Sequence, residues 1–252
     1  MDLTTVLGIS LALTIASLVV SFHGSISVYW DLEAFLIAFG GTFAATLINT
    51  PFPNLLNAIK SSFFLLFSTR YKSAEVIPLM KKLSEKAKKE GVFALKNEGK
   101  NWPDAFLEKA VSLLMLNFGA HAIRTILENE IIETRARHRS TINVLRTAAL
   151  YAPVFGLFGT LLGVIQVLTK IGNPAEVGPA MATAVMASVY GILLAYMVLH
   201  PIAGKLRLRD DEEILAKAMI LEGILLIRAH EMPSAVEKHL YSYVSSKPKL
   251  KK

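Results

Sequence analysis

The sequence predicts an all-α, polytopic membrane protein with four transmembrane helices and a helical cytoplasmic domain. Three observations carry that expectation. Hydrophobic residues make up 53% of the 252, and the mean hydropathy is +0.45, too apolar for an ordinary soluble domain. Four runs carry no charge: Leu3–Phe22, Ala34–Thr50, the stretch between Arg146 and Lys170, and Val177–Leu199. A helix rising roughly 1.5 Å per residue crosses about 30 Å of hydrocarbon in about 20 residues, and these runs are near that length. No strand-like alternation of useful length appears in residues 54–147, so that domain is expected to be all helical.

Charge placement sets the expected topology. The net charge of +7 could point to nucleic acid, but its distribution points to a membrane. Of 27 Lys and Arg, 16 lie in residues 54–147, 10 in residues 205–252, and Lys170 is the remaining one. The positive-inside rule then puts both basic regions, and both termini, in the cytoplasm. The expected organisation is residues 1–53 for the first two helices and a short periplasmic loop, 54–147 for the cytoplasmic domain, 148–204 for the third and fourth helices, and 205–252 for cytoplasmic helices and a basic tail. Cysteine is absent, which excludes disulfides and thiolate metal sites.

Leu3–Phe22 reads as a retained helix, because a signal peptide wants a basic start and Asp2 is the only charge before the run. His23–Glu33 is a short loop whose Tyr29 and Trp30 suit an interface. Ala34–Thr50 is the second helix, closed by Pro51 and Pro53. Asn54–Phe67 is too short to span and reads as an amphipathic helix in the inner interface. Helical patterns follow at Ser73–Lys89, Pro103–Asn117 and Ala120–Leu145, punctuated by Gly91, Gly99 and Gly119. The last runs straight into the third membrane helix. A turn-rich link, Gly172–Pro179, leads to the fourth. That helix continues past Gly204 into an amphipathic stretch with Asp210, Asp211, Glu212 and Glu213, and Pro233 breaks it. Ser234–Val244 is a short helix, and Lys247–Lys252 is a basic tail beside anionic headgroups.

The most specific motif is Gly156-Leu-Phe-Gly-Thr-Leu-Leu-Gly163. Gly156, Thr160 and Gly163 share one helix face at i, i+4 and i+7, with Gly159 at its edge. Ala184, Ser188, Gly191 and Ala195 form a similar stripe on the fourth helix. Two small-residue faces let membrane helices approach closely. Each carries one hydroxyl, Thr160 or Ser188. One reading is packing, with each hydroxyl bonded back to its own helix; the other, equally open from the residues, is an ion path.

Absences narrow the function. The sequence has no phosphate loop, no dinucleotide fingerprint and no metal spacing among its six His, and no nucleophile–base pair in a credible context. An enzyme, or a bound cofactor, is not expected. None of the four apolar runs contains Asp or Glu. Cation and proton paths normally need a buried ionisable group. If the chain conducts ions, a partner must supply that group.

The motif, with Gly178-Pro-Ala-Met-Ala182, Tyr190-Gly191 and His200-Pro201, resembles the bacterial flagellar stator A subunits (MotA/PomA) over nearly the whole chain. ExbB and TolQ carry a similar glycine stretch but have one helix before the cytoplasmic domain, where this chain has two. The resemblance implies a homo-pentamer in the bacterial inner membrane around a MotB/PomB-like dimer whose membrane Asp binds the transported ion. Flow would step the ring and push a FliG-like torque-ring protein. The family's two functional prolines match Pro153, at the start of the third helix, and Pro201, at the end of the fourth; a helix-end marker is the plainer reading of each. Its rotor-facing charged pair falls on Lys88 and Lys96, with Lys89, Glu90 and Glu98 as neighbouring candidates. The second position departs from the family, which often has an acid there. Both hydroxyl positions are filled, as in sodium-type relatives, so sodium is favoured over the proton. The alternatives are an ExbB/TolQ-like energiser of envelope processes and a stand-alone channel or scaffold.

Overall fold

The computed structural model describes residues 7–8, 10–12, 14–15, 17–18, 22, 29–67, 73–96, 98, 102 and 105–244. Among them every regular element is helical. We label the elements α1 (Leu32–Asn49), α2 (Phe52–Phe67), α3 (Ser73–Glu90), α4 (Phe106–Met115), α5 (Ala120–Thr169), α6 (Pro174–Arg228) and α7 (Pro233–Tyr241). A 3₁₀ turn, Val92–Leu95, separates α3 from α4. Segments of α1, α5 and α6 are long and apolar enough to cross a membrane. Of the expected span Leu3–Phe22, residues 7–8, 10–12, 14–15, 17–18 and 22 are described, all helical, while residues 23–28 of the expected loop, Pro103 and the basic tail lie outside the described residues.

The boundaries differ from the sequence expectation for local reasons. α1 starts at Leu32, inside the expected loop, because Asp31 caps it: its backbone is extended and its Oδ1 accepts the Ala34 N–H at 2.9 Å. Thr50 turns extended ahead of Pro51, as a residue before proline tends to. Pro53 closes nothing. It sits in the first turn of α2, where a missing N–H is no loss. The link Gly172–Pro179 is also shorter than expected. Pro174 is the first residue of α6, and Pro179 lies inside it, so only 170–173 turn between α5 and α6. α5 is a single 50-residue helix, as the sequence suggested for its two parts.

Pro153 and Pro201 are not at helix ends. Pro153 lies deep within α5. Pro201 lies in the middle of α6, two residues past a π-helical turn at Leu194–Leu199. A proline inside a helix lacks one donor, and its ring crowds the carbonyl four residues back, here that of Met197. A wider π turn just before Pro201 accommodates both effects without breaking the helix.

The chain divides into two compact units, residues 1–68 with 139–206 and residues 69–138 with 207–252. The first unit buries small side chains: Ala34, Ala38, Thr42, Thr46, Ala152, Ala184, Ala187 and Ala195. Thr42 and Thr46 satisfy their hydroxyls on the carbonyls of Ala38 and Thr42. Its large apolar residues, such as Leu150, Leu157, Leu161 and Ile165, face outward. Leu55 and Ala58 of α2 pack on Val144, while Phe52, Leu56 and Ile59 stay exposed.

The second unit has an ordinary core of Met80, Leu83, Leu95, Phe106, Leu107, Ile123, Leu127, Met219, Ile220, Ile224 and Leu240. Gly223 leaves the space that Met80 fills; an added Cβ there would stand 2.6 Å from Met80 Cε. Asn117 and His230 take positive φ, 55° and 58°. Each ends a helix in the same way: Phe118 N–H reaches Leu113 O and Asn117 N–H reaches Leu114 O, with the matching pair Glu231 to Leu226 and His230 to Ile227. Ion pairs hold the surface, including Arg124–Glu222 at 2.8 Å and Lys81–Glu237 at 2.7 Å, and a hydrogen bond of 2.9 Å joins His138 Nδ1 to the buried Asp210.

Candidate functional site

The glycines of α5 bring its backbone against α6. A Cβ on Gly156 would stand 2.9 Å from Ala187 O and 3.1 Å from Ser188 Cα. One on Gly159 would meet Ala187 Cβ at 2.5 Å and Ile37 at 3.1 Å, and one on Gly163 would stand 2.8 Å from Ala184 Cα. From the other side, a Cβ on Gly191 would lie 3.0 Å from Gly156 Cα. These contacts are mostly to backbone or to a side chain's first carbon, neither of which can swing away. The four glycines named from sequence therefore act as one interface.

That approach brings the two hydroxyls together. Thr160 Oγ1 and Ser188 Oγ are 2.5 Å apart. Thr160 Oγ1 also lies 2.9 Å from Ala184 O across the interface and 3.2 Å from Gly156 O in its own helix. Ser188 Oγ reaches Gly156 O at 3.4 Å. Two hydroxyl protons thus face four oxygens, so several donor arrangements compete. The in-helix bond expected of a packing threonine is present, but the cross-helix partner is closer. Both residues are half-buried. An all-oxygen set of this kind suits a hard cation, which takes hydroxyl and carbonyl ligands in place of water. Among the described residues no group of three or more His, Cys, Asp or Glu could hold a metal ion.

Sequence reasoning missed a second polar cluster. Asp31 Oδ2 accepts the Thr183 hydroxyl at 2.5 Å. Its backbone N–H donates to the Tyr190 hydroxyl at 3.0 Å, and that hydroxyl donates to Tyr29 O at 2.6 Å. Thr183 lies nine residues past Pro174, roughly 14 Å along the helix, so Asp31 is recessed from the α5–α6 turn. Phe35 meets the Tyr190 ring edge-on at 6.3 Å. Closer to the turn, Gln166 donates to Glu33 at 3.2 Å. The signal was an acidic residue three positions before Ala34 with another in the first turn, the pattern of a helix start.

The remaining sequence candidates lie in the other unit. Lys88, Lys89 and Glu90 end α3 and are exposed, as is Lys96 after the 3₁₀ turn. Glu98 differs from them. Lys86 Nζ donates to it at 2.8 Å and Lys82 Nζ at 3.4 Å. The Lys86 hydrogen bond, supported by Lys82, holds its carboxyl below the usual carboxylate range. Its charge is met within the chain.

Residues 98–219 match the MotA/TolQ/ExbB proton channel family. The chain is 30% identical to the chemotaxis protein PomA of Vibrio alginolyticus, covering 97% of this chain and 96% of the relative. It is 30% identical to motility protein A of Bacillus subtilis, covering 100% and 94%. The fold matches the flagellar MotAB stator complex of Bacillus subtilis with a TM-score of 0.87 at 29% identity, covering 98% of this chain and 97% of that one. It also matches C. jejuni MotAB with a TM-score of 0.89 at 23% identity, over 99% and 98%. The paired hydroxyls therefore sit in a member of the MotA/TolQ/ExbB family, and within it the chain belongs to the MotA/PomA group of flagellar stator A subunits.

Proposed function

We propose that the chain is the ring-forming stator subunit of an ion-driven flagellar motor, and that with a MotB/PomB-like partner it forms a sodium path. The observation that carries this reading is the four-oxygen cluster of Thr160, Ser188, Ala184 O and Gly156 O. Its hydroxyls sit between helices that carry no Asp or Glu in their apolar runs, and the carboxylates that lie against those runs, Asp31 and Glu33, are engaged by Thr183 with the Ala34 N–H and by Gln166. They can offer oxygen ligands, while the titrating carboxylate comes from the partner's membrane helix. A proton needs only that carboxylate; a sodium ion needs oxygens to replace its water. Filled hydroxyl positions on both helices favour sodium.

In this reading five copies surround two partner chains in the bacterial inner membrane, with both termini cytoplasmic, and the family is one of channel and motor subunits rather than enzymes. One charge falling through 100 mV releases roughly 2.3 kcal/mol, enough for one small rearrangement of packed helices. Pro153 and Pro201 are the positions where the two long helices can yield, since each lacks a backbone bond. Exposed Lys88, Lys89, Glu90 and Lys96 face the rotor's torque ring.

The test is motility in cells that carry this chain and its partner as the sole stator. Swimming should rise with external sodium at constant membrane potential, and Thr160→Ala should abolish swimming while the complex keeps its native mass. Swimming that is unchanged in sodium-free medium would overturn the ion assignment.

A further inference from the structure

We infer that Phe93 is an apolar anchor for the rotor protein, set in a positively charged rim; this rests on the stator reading above. The turn after α3 is built to present it. Gly91 has φ +84°, a conformation other residues rarely adopt, and it starts the 3₁₀ turn Val92–Leu95. Residues i and i+3 eclipse in such a turn. Leu95 is fully buried and Val92 packs on the same core, so that side of the turn is anchored. Phe93, off that side, is 75% exposed. The buried Leu95 and the partly buried Val92 tie the turn to the core and leave the ring outside it.

A single exposed apolar residue is ordinary on a protein surface. The charges beside it in the sequence supply the further information. Lys88, Lys89 and Lys96 flank the turn and are exposed. Glu98, which could have balanced them, is bonded to Lys86 and Lys82. Among the described residues of this stretch the exposed acids are Glu85 and Glu90, against exposed Lys88, Lys89 and Lys96, so the flank keeps a positive excess of one. An aromatic knob inside a charged rim is the arrangement of a protein-binding hot spot, where the ring desolvates and the surrounding charges steer. The occupant it fits is an acidic surface with an apolar recess, on the rotor's torque-ring protein. In the family's charged pair an acid shares the contact; here a ring and cations carry it.

The test uses the full chain with its B-type partner as sole stator. Fluorescently tagged stators are counted at motors, and stall torque is measured on tethered beads. Phe93→Ala should lower recruitment and torque about 10-fold or more, and Phe93→Leu should restore at least half. Lys88→Glu with Lys89→Glu should lower recruitment, while Glu98→Gln should leave it within about two-fold. Growth arrest by a constitutively open complex reports ion flow independently of the rotor, and Phe93→Ala should leave it intact. Undiminished recruitment of Phe93→Ala overturns the proposal, as does a Glu98→Gln loss equal to that of Phe93→Ala. A changed native mass of the Phe93→Ala complex also overturns it, because the ring would then contact another copy. Absence of ion flow with the unsubstituted chain instead defeats the stator reading itself.

Discussion

The two units bury opposite kinds of side chain. One hides mostly Ala, Gly and Thr, with Leu55, Ile142, Val144 and Leu145 as exceptions, and turns most of its Leu and Ile outward; the other hides Phe, Met, Leu and Ile and turns Lys and Glu outward. The contrast shows that each region folds against a different solvent. In water, large apolar groups gain by burial. In lipid they gain little, so helix contact depends on close backbone approach through small residues. The chemistry follows from that difference. Close approach leaves Thr160 and Ser188 sharing oxygens with two backbone carbonyls, whereas the Leu-rich core makes a rigid mount for surface residues.

The sharpest way to break this comparison is to enlarge a glycine in each unit. Gly191→Leu forces a side chain into the backbone of Ala152 and Gly156, where nothing can move aside. It should prevent accumulation of the folded complex, measured by native mass after mild extraction. Gly223→Ala meets only the flexible Met80 side chain and should cost about 1–2 kcal/mol, seen as a lowered Tm with assembly retained. Equal effects of the two would mean the units do not differ as described.

Truncating large residues reverses the ranking. Phe106 is 1% exposed in the second unit and Leu161 is 55% exposed in the first. Phe106→Ala should cost about 3–5 kcal/mol. Leu161→Ala should cost about 0.5 kcal/mol or less. Thermal unfolding of the purified complex checks both, and a larger loss for Leu161→Ala would place that residue in an interface.

Much of this was legible in the sequence. Charge-free runs located the spans of α1, α5 and α6, and glycine spacing located the interface, because both depend on local pattern. The pairing of Thr160 with Ser188 across α5 and α6 was visible only as two similar stripes; their 2.5 Å contact needs the fold. Pro153 and Pro201 stand where the charge-free runs meet the cytoplasmic stretches, and the expected continuation of both helices past those points makes the two prolines internal. Long helices packed along their length tolerate them, in one case with a π turn. The sequence places Asp31 in a loop, and its partners Thr183 and Tyr190 lie more than 150 residues away, where no local pattern can point to them. The pairing of Glu98 with Lys86 and Lys82 is invisible in the sequence, since the two lysines lie 12 and 16 residues earlier, beyond any helical spacing rule.

The smallest expected effect is electrostatic. Glu98 has its carboxyl pKa lowered, first by the Lys86 hydrogen bond and then by Lys82. A group with a depressed folded value stabilises fully above its ordinary range and loses that contribution as pH falls through the folded value. The Glu98→Gln variant should therefore be slightly less stable than the unsubstituted chain at pH 7, by less than about 1 kcal/mol. The gap should close in acid, below the usual carboxylate range. Paired melting curves across pH measure it, and a gap that widens in acid would contradict the assignment.

The central claim is that these helices supply oxygen ligands but not the titrating acid. It is tested most directly by uptake of radiolabelled sodium into liposomes under an applied voltage. The chain alone should show no uptake, and the chain with an unplugged B-type partner should show robust uptake. Thr160→Ala with Ser188→Ala should reduce uptake about 10-fold or more at unchanged native mass. Sodium uptake by the chain alone equal to that of the complex, or undiminished uptake in the double variant, would contradict the account.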